Sequence, residues 1–148
     1  MQLTAHTIEF CRAVPEDAAA ILSLIHQLEH FIPEEIFLQN LQRVLNDQKD
    51  YHLFVARENK QVVAYAEIHF LHFVYEEKSR ARLTSFCVEA ACRGQKIGSG
   101  FLHFLEGFCK EQAVYRIELT SNLRRHDAHR FYEKNGYTFV SKAFHKNL

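Results

Sequence analysis

Residues 8–14, IEFCRAV, alternate apolar and polar side chains, the period-2 pattern of a half-buried strand. Pro15, Glu16 and Asp17 then open a helix: proline already holds the backbone angle of a first helical position, and acids favour the positive end of the helix dipole. Ile21, Leu24, Ile25 and Leu28 recur at helical spacing and give that helix an apolar stripe. A second proline-acid start, PEEIFLQNLQRVL (33–45), predicts another helix with Phe37, Leu41, Val44 and Leu45 inward. YHLFVAR and QVVAYAEIHFLHF flank the turn ENK (58–60) and predict a hairpin. After the polar break YEEKS, RARLTSFCVEA (80–90) predicts a third antiparallel strand. The glycine-rich ACRGQKIGSG (91–100) leads into a helix from about residue 98, with Ile97, Phe101, Leu105 and Phe108 on one face. VYRIELTS (114–121) predicts a strand and HDAHRFYEKN (126–135) a short helix, stopped by Asn135-Gly136. YTFV and KAFHKN predict two closing strands. The order β-α-α-β-β-β-α-β-α-β-β, with a hairpin-rich front half and a later β-α-β, implies a mixed sheet with helices on both faces.

Composition narrows the function classes. At 148 residues with 47% apolar side chains the chain can bury a core of its own, and no linker or repeat divides it, so residues 1–148 are expected to form a single domain. A formal net charge of zero disfavours nucleic acid as a partner. Nothing reads as a signal peptide, and no apolar stretch approaches the roughly 20 residues that span a bilayer. Cys11, Cys87, Cys92 and Cys109 form no C-x-x-C pair, and reduced thiols in the cytoplasm are the simpler expectation.

Three of the five glycines fall at 94, 98 and 100, beside Arg93 and Lys96. A Walker-type loop needs Lys and Ser/Thr straight after its last glycine, where this chain has Phe101; a dinucleotide fingerprint needs G-x-G-x-x-G. What survives is a strand ending in a glycine loop, followed by a helix N-terminus whose N–H groups face an anion, with two cations at the same point. The alternative is a plain strand-to-helix turn.

Here the chain resembles the GCN5-related N-acetyltransferases, whose pyrophosphate loop reads R/Q-x-x-G-x-G/A. Counted from Arg93, the two glycine positions fall on Lys96 and Gly98; counted from Gln95, on Gly98 and Gly100. DAHRFYEKNGY (127–137) is similar to the family's A-x-x-x-Y-x-x-x-G-F/Y segment, through Ala128, Tyr132, Gly136 and Tyr137. The likeness covers residues 8 to 140, and SNLRRHDAHRFY together with YHLFVAR…QVVAYAEIHF is similar to the aminoalkylphosphonate N-acetyltransferases and their small-amine relatives. The resemblance implies a mixed, mostly antiparallel sheet of about seven strands with four helices on its two faces. It implies direct transfer of an acetyl group from acetyl-CoA to a primary amine of a small molecule. It places the coenzyme's pantetheine along Phe86, Cys87 and Val88 and its pyrophosphate on Arg93, Gly94, Gln95, Lys96, Ile97, Gly98 and Ser99. Asn122 would meet the pantetheine amide and one arginine, Arg125, the coenzyme's ribose phosphate or an anionic substrate, with Ala128 and Phe131 lining the coenzyme site.

Amine acetylation needs a proton acceptor, a polarised carbonyl and a proton for the departing thiolate. Tyr132 is the expected thiolate proton donor, because a phenol stays protonated at neutral pH. Many members of the family carry an acid pair where this chain has Thr84 and Ser85, so Glu67 and His69, two residues apart on one strand face, are the expected bases. Solvated or cross-strand roles are the alternative for both. Cys87 reads as a packing residue and Glu89 as surface. His26/His30 and His126/His129 lack the H-E-x-x-H order and a third ligand, so no metal is expected. Acetylation of a protein amine and non-catalytic acyl-CoA binding remain open, as does a homodimer formed through the closing strands.

Overall fold

The computed structural model describes residues 7–94 and 96–148, so the expected role of Gln95 lies outside the described residues. The described residues form two compact units, one ending at Glu118 and the other spanning 119–148.

The first unit carries β1 (Ile8–Arg12), a 3-10 turn over Pro15–Asp17, α1 (Ala18–Gln27), α2 (Glu34–Asn46), β2 (Tyr51–Glu58), β3 (Gln61–Leu71), β4 (Arg80–Val88), α3 (Ile97–Glu111) and most of β5 (Arg116–Leu119). The strands lie in the order β1-β2-β3-β4-β5, and the first four pair antiparallel as meanders. Asn59 and Lys60, both at positive φ (49° and 70°), make the tight β2–β3 turn. The two proline-acid helix starts, the hairpin and the third antiparallel strand all form where the hydrophobic pattern places them.

The two faces of this sheet differ in chemistry. On one, Val55, Tyr65 and Cys87 pack under Ile21 and Leu24 of α1 and Phe37 and Leu41 of α2. On the other, cross-strand pairs set large side chains beside small ones: Phe10 with Ala56, Phe54 with Ala66, Ala66 with Phe86. The alanines leave room for the rings of α3, so that Phe101 stacks on Phe10 at 5.2 Å and Phe108 meets Phe54 edge-on at 4.9 Å. Gly100 serves this packing, since a Cβ there would lie 3.3 Å from the Phe10 ring.

Two polar groups are buried within this frame. Asp17, 5% exposed, accepts Nη1 and Nη2 of Arg57 at 2.8 Å each and also the Val14 N–H at 2.9 Å. It ties the entry of α1 to β2 beside the bulge at Ala56/Arg57. His52, 2% exposed among Phe54, Phe70 and Phe108, accepts Arg12 Nη1 at Nδ1 and donates from Nε2 to the Lys49 carbonyl, each at 3.1 Å.

The second unit contains the end of β5 and α4 (His126–Lys134), which Asn135 and Gly136 (φ 89°) close. Residues 138–148 are exposed and form no strand, so the structure has five strands and four α-helices among the described residues, in place of the seven strands expected. YTFV and KAFHKN have the composition of strands but no partner strand within the described chain. A strand exists only through its ladder, and Phe139, Val140 and Phe144 remain 72%, 83% and 92% exposed.

Two outcomes follow from these placements. Burial lowers the pKa of His52 below its ordinary value, so the folded state resists a proton that the unfolded chain accepts. Stability is fully present above the unfolded pKa, near 6.5, and falls as pH drops through the folded value. The melting temperature should therefore decline from pH 7.5 to 5, and His52→Gln should flatten that decline in parallel scans. Lys96 sits at the N-cap of α3 with φ 64°, a left-handed conformation that costs a residue bearing Cβ about 1 kcal/mol or more. Denaturant unfolding should show Lys96→Gly more stable than Lys96→Ala by about 1 kcal/mol, and the opposite order would contradict this backbone path.

Candidate active site

The candidate site is built on the β3–β4 pair, on the face shared with α1 and α2. Cover from those helices reaches Leu53 and Tyr65, and beyond it the face turns polar. Glu67 and His69 project there with side chains 27% and 26% exposed, joined by an Nε2 to Oε1 hydrogen bond of 2.8 Å. A carboxylate only accepts, so Nε2 carries the hydrogen and the imidazole lone pair lies on Nδ1. Tyr51, paired with His69 across β2–β3, sets its ring edge-on at 4.2 Å and holds the imidazole plane.

Thr84 and Ser85 show why this face is polar. The β3–β4 register shifts between Glu67 and Ile68: Glu67 opposes Ser85, Ile68 opposes Leu83, and Thr84 is the extra residue of the bulge. Thr84 Oγ1 donates to the Glu67 carbonyl at 3.2 Å. Ser85 hydrogen-bonds the Tyr65 hydroxyl, whose pKa burial raises to about 12, so this phenol keeps its proton through the physiological range. After the bulge, His69 opposes Arg82, which therefore lies on the same face. Arg82 Nη2 donates to Glu118 Oε1 at 2.8 Å.

The glycine loop follows β4 directly. Phe86 and Val88 are half-buried and Cys87 is 3% exposed, with its thiol turned to the Val88 carbonyl at 3.8 Å. Burial raises the pKa of Cys109 to about 12 and pushes that of Cys92 upward, so neither is poised as a thiolate. Arg93 Nε donates to the Val88 carbonyl at 3.1 Å, closing the end of β4, and Gly94 turns at φ 84°. Lys96 takes the left-handed position that the register from Arg93 assigns to a glycine. Ile97 is buried, Gly98 and Ser99 lie half-exposed in the first turn of α3, and Gly100 is committed to Phe10. A helix start without a side chain at Gly98, flanked by two exposed cations, has the chemistry of a diphosphate cradle.

Two residues that sequence reasoning missed hold this loop against α1. Gln27 Nε2 donates to Glu89 Oε2 at 2.7 Å, and Gln27 Oε1 accepts the Ala90 N–H at 3.1 Å. Glu89, read as surface from the sequence, is half-buried by this clamp. Tyr51 and Arg82 were also missed. Their signal lay in strand pairing, which needs a register to be visible.

In the second unit, Asn122 Oδ1 accepts the Arg124 N–H at 3.0 Å, and its carbonyl accepts the Arg125 N–H at 2.9 Å and His129 Nε2 at 2.9 Å. This turn starts α4, with Arg125 exposed at the N-cap. Ala128, Phe131 and Tyr132 are half-buried along α4, and the Tyr132 ring lies 5.3 Å from Phe131 and 5.9 Å from Tyr137. The histidine pairs behave as packing and capping groups: His26 stacks on Phe31 at 5.7 Å and His126 meets His129 at 5.9 Å. Among the described residues no group of three or more His, Cys, Asp or Glu could hold a metal ion. No helix of the described residues is long and apolar enough to cross a membrane. A cavity of about 270 Å³ lies elsewhere, lined by Glu76, Glu77, Lys78 and Tyr115.

Comparison with known proteins identifies the family. The chain matches the acetyltransferase (GNAT) family over residues 22–137, most of its length. It is 29% identical over 141 residues to an aminoalkylphosphonate N-acetyltransferase of Salmonella typhimurium, covering 95% of this chain and 91% of that one. Its fold superposes on an aminoglycoside N-acetyltransferase solved with CoA at a TM-score of 0.88, with 10% identity and coverage of 100% and 99%. A protein from Bacillus halodurans C-125 described as a transcriptional regulator gives 0.86 at 20% identity, with coverage of 96% and 100%. The chain belongs to the GNAT family of acetyltransferases, and its acyl donor is acetyl-CoA.

Proposed function

We propose that the chain acetylates the primary amine of a small molecule by direct transfer, with His69 as the base and Glu67 holding it. The observation that carries this reading is the Glu67–His69 hydrogen bond on an accessible sheet face opposite the β4 bulge. Glu67 fixes Nε2–H, so Nδ1 accepts a proton and the carboxylate stabilises the imidazolium that results. That dyad stands in for the missing acids at 84 and 85.

The coenzyme supplies an acetyl thioester. Backbone amides of Phe86, Cys87 and Val88 would hold its pantetheine and polarise the carbonyl, and Arg93, Gly94 and Lys96 to Ser99 would hold its diphosphate. Within the second unit, Asn122, Arg125, Ala128 and Phe131 are the coenzyme contacts that the family resemblance implies, and the Tyr132 hydroxyl is the proton donor it implies for the departing sulfur. Direct transfer is supported by the thiols, since Cys87 is buried and the pKa values of Cys92 and Cys109 are raised. The family match runs through both compact units, which supports one acetyltransferase domain over 1–148. The named relative supports a small acceptor. Free cysteines among the described residues support a cytoplasmic setting. The exposed Phe139, Val140 and Phe144 support a homodimer closed through this segment.

Coenzyme-thiol release across a panel of small amines tests the activity, and a lysine-bearing peptide in the same panel tests a protein acceptor. His69→Ala should lower turnover about 10²–10⁴-fold, with a smaller loss for Glu67→Gln and little change in coenzyme affinity for either. Tyr65 keeps its proton throughout and adds no limb to the pH profile. An unchanged pH–rate profile in both variants would make solvent the base. Tyr132→Phe should cost a comparable factor under single-turnover conditions, and full activity there would remove its hydroxyl from the reaction.

A further inference from the structure

We propose that Ser79 is the nucleophile of a second acyl-transfer site, separate from Glu67 and His69, which hydrolyses small esters of short carboxylic acids. Three side chains form a continuous relay there. Ser79 Oγ lies 2.8 Å from Nδ1 of His72, and His72 Nε2 lies 2.8 Å from Oδ1 of Asp50. A carboxylate only accepts, so Nε2 carries the ring hydrogen and Nδ1 is left to accept the hydrogen of the Ser79 hydroxyl. A serine nucleophile requires this state: a neutral imidazole with its lone pair on the hydroxyl and a carboxylate behind it. No other histidine of the described residues joins a carboxylate to a hydroxyl. His52 bonds an arginine and a carbonyl, His69 the Glu67 carboxylate, and His129 a backbone carbonyl.

The three residues meet because the meander turns there. Asp50 immediately precedes β2, His72 immediately follows β3 and Ser79 immediately precedes β4, and antiparallel pairing brings these three strand ends to one end of the sheet. Their backbones are held. The Asp50 N–H donates to Asp47 Oδ1 at 3.2 Å, and the Asp50 carbonyl accepts the Phe70 N–H at 2.8 Å. The Ser79 carbonyl accepts the Tyr115 N–H at 3.2 Å. Arg80, next in the chain, is fixed by Glu76, the Tyr115 hydroxyl and the face of the Phe73 ring. The connection that carries His72 and Ser79 is therefore braced where it enters β4.

A substrate can reach the relay. The side chains of His72 and Asp50 are 61% and 33% exposed, and Ser79 is half-buried. Two residues of the cavity of about 270 Å³ flank Ser79: Lys78 precedes it, and Tyr115 bonds its carbonyl. That volume admits a small ester, and Lys78, exposed on the cavity wall, brings positive charge to a developing oxyanion. Exposure also weakens the electrostatics, so the expected acceleration stays at the lower end of general-base catalysis, about a hundredfold.

In the first step Ser79 Oγ bonds to the acyl carbon as its proton passes to His72 Nδ1, and the alcohol departs with that proton as its C–O bond breaks. Water then attacks the acyl-serine and gives a proton to Nδ1. The bond from the acyl carbon to Oγ breaks, Oγ takes that proton back, and the carboxylic acid leaves. Neither coenzyme nor amine enters.

The test uses the parent chain, Ser79→Ala, His72→Gln and Asp50→Asn with coenzyme and amine both left out. Release of p-nitrophenol from p-nitrophenyl acetate measures hydrolysis. A fluorophosphonate, from which Ser79 Oγ displaces fluoride, marks the nucleophile for peptide mass spectrometry. The parent should hydrolyse the ester about a hundredfold faster than Ser79→Ala and carry one phosphonyl group on the peptide containing Ser79. His72→Gln should slow that labelling by a similar factor. Asp50→Asn should slow it by about tenfold or more with little change in melting temperature, since Asp50 acts through the imidazole and an exposed pair adds little stability. A parent no faster than Ser79→Ala overturns the proposal, as does a phosphonyl group absent from Ser79. Labelling of the parent needs no substitution, so a poorly folded variant cannot mask the result. A chain that fails to acetylate any amine leaves these outcomes as they are, and failure here leaves amine acetylation standing.

Discussion

One extra residue in β4 organises the polar face of the sheet. At Thr84 the strand gains a position that β3 does not match, and the parity of side chains reverses there. Before the bulge Ala81 and Leu83 face α3; after it Phe86 and Val88 do. The opposite face therefore receives Arg82, Ser85 and Cys87 in sequence, two polar groups and then a packing residue. The polar pair meets the stretch of β3 where Glu67 and His69 emerge from helical cover, while Cys87 closes the core under α1. The Thr84 hydroxyl bonds the Glu67 carbonyl and pins the irregularity to the residue that holds the imidazole.

Around that point the fold is tied down by contacts away from Glu67 and His69. Asp17 and Arg57 join the entry of α1 to β2, and Gln27 joins its exit to Glu89 and Ala90 at the end of β4. Helix α1 is thus fixed at both ends, one end on each side of the sheet's central strands. A carboxylate as deeply buried as Asp17 is tolerable because two guanidinium donors and one backbone N–H satisfy it. The glycine loop inherits its position from these contacts, since Arg93 closes onto Val88 where Glu89 is held.

Much of this was legible from residue order alone. The proline-acid helix starts, the Asn59-Lys60 turn and the loop before α3 are local signals, and local signals need no knowledge of partners. Glu67 and His69 were legible as neighbours because i and i+2 share a strand face. What the sequence hid was non-local. The apolar positions 81 and 83, then 86 and 88, carry the parity switch of the bulge, but the signal becomes a bulge only once β3 supplies a register. Tyr51 and Arg82 were invisible for the same reason, being defined by the residue opposite each. The closing segment misled in the reverse direction: its composition is that of strands, but pairing is a property of two segments. The glycine loop yielded two registers, and backbone conformation favours the one from Arg93, since the left-handed residue is Lys96 and Gly100 is needed by Phe10.

The histidines show how far environment outweighs residue type. His52 and His69 lie on neighbouring strands, opposite Ile68 and Tyr51 respectively, so a single step in register separates their positions. That step puts them on opposite faces. His52 goes under α3 among phenylalanines, where burial depresses its pKa and both ring nitrogens are occupied by Arg12 and Lys49. His69 goes to the open face, where one nitrogen is held by a carboxylate and the other side of the ring faces the groups of β4. Both rings are fixed by an acceptor at Nε2–H, a carbonyl in one case and Glu67 in the other. The difference is that Nδ1 of His52 is spent on an arginine inside the core, whereas the His69 ring stands partly exposed on the open face. Strand parity, set by the register of the β2–β3 pair, thereby decides which imidazole is buried within the fold and which stands on the open face.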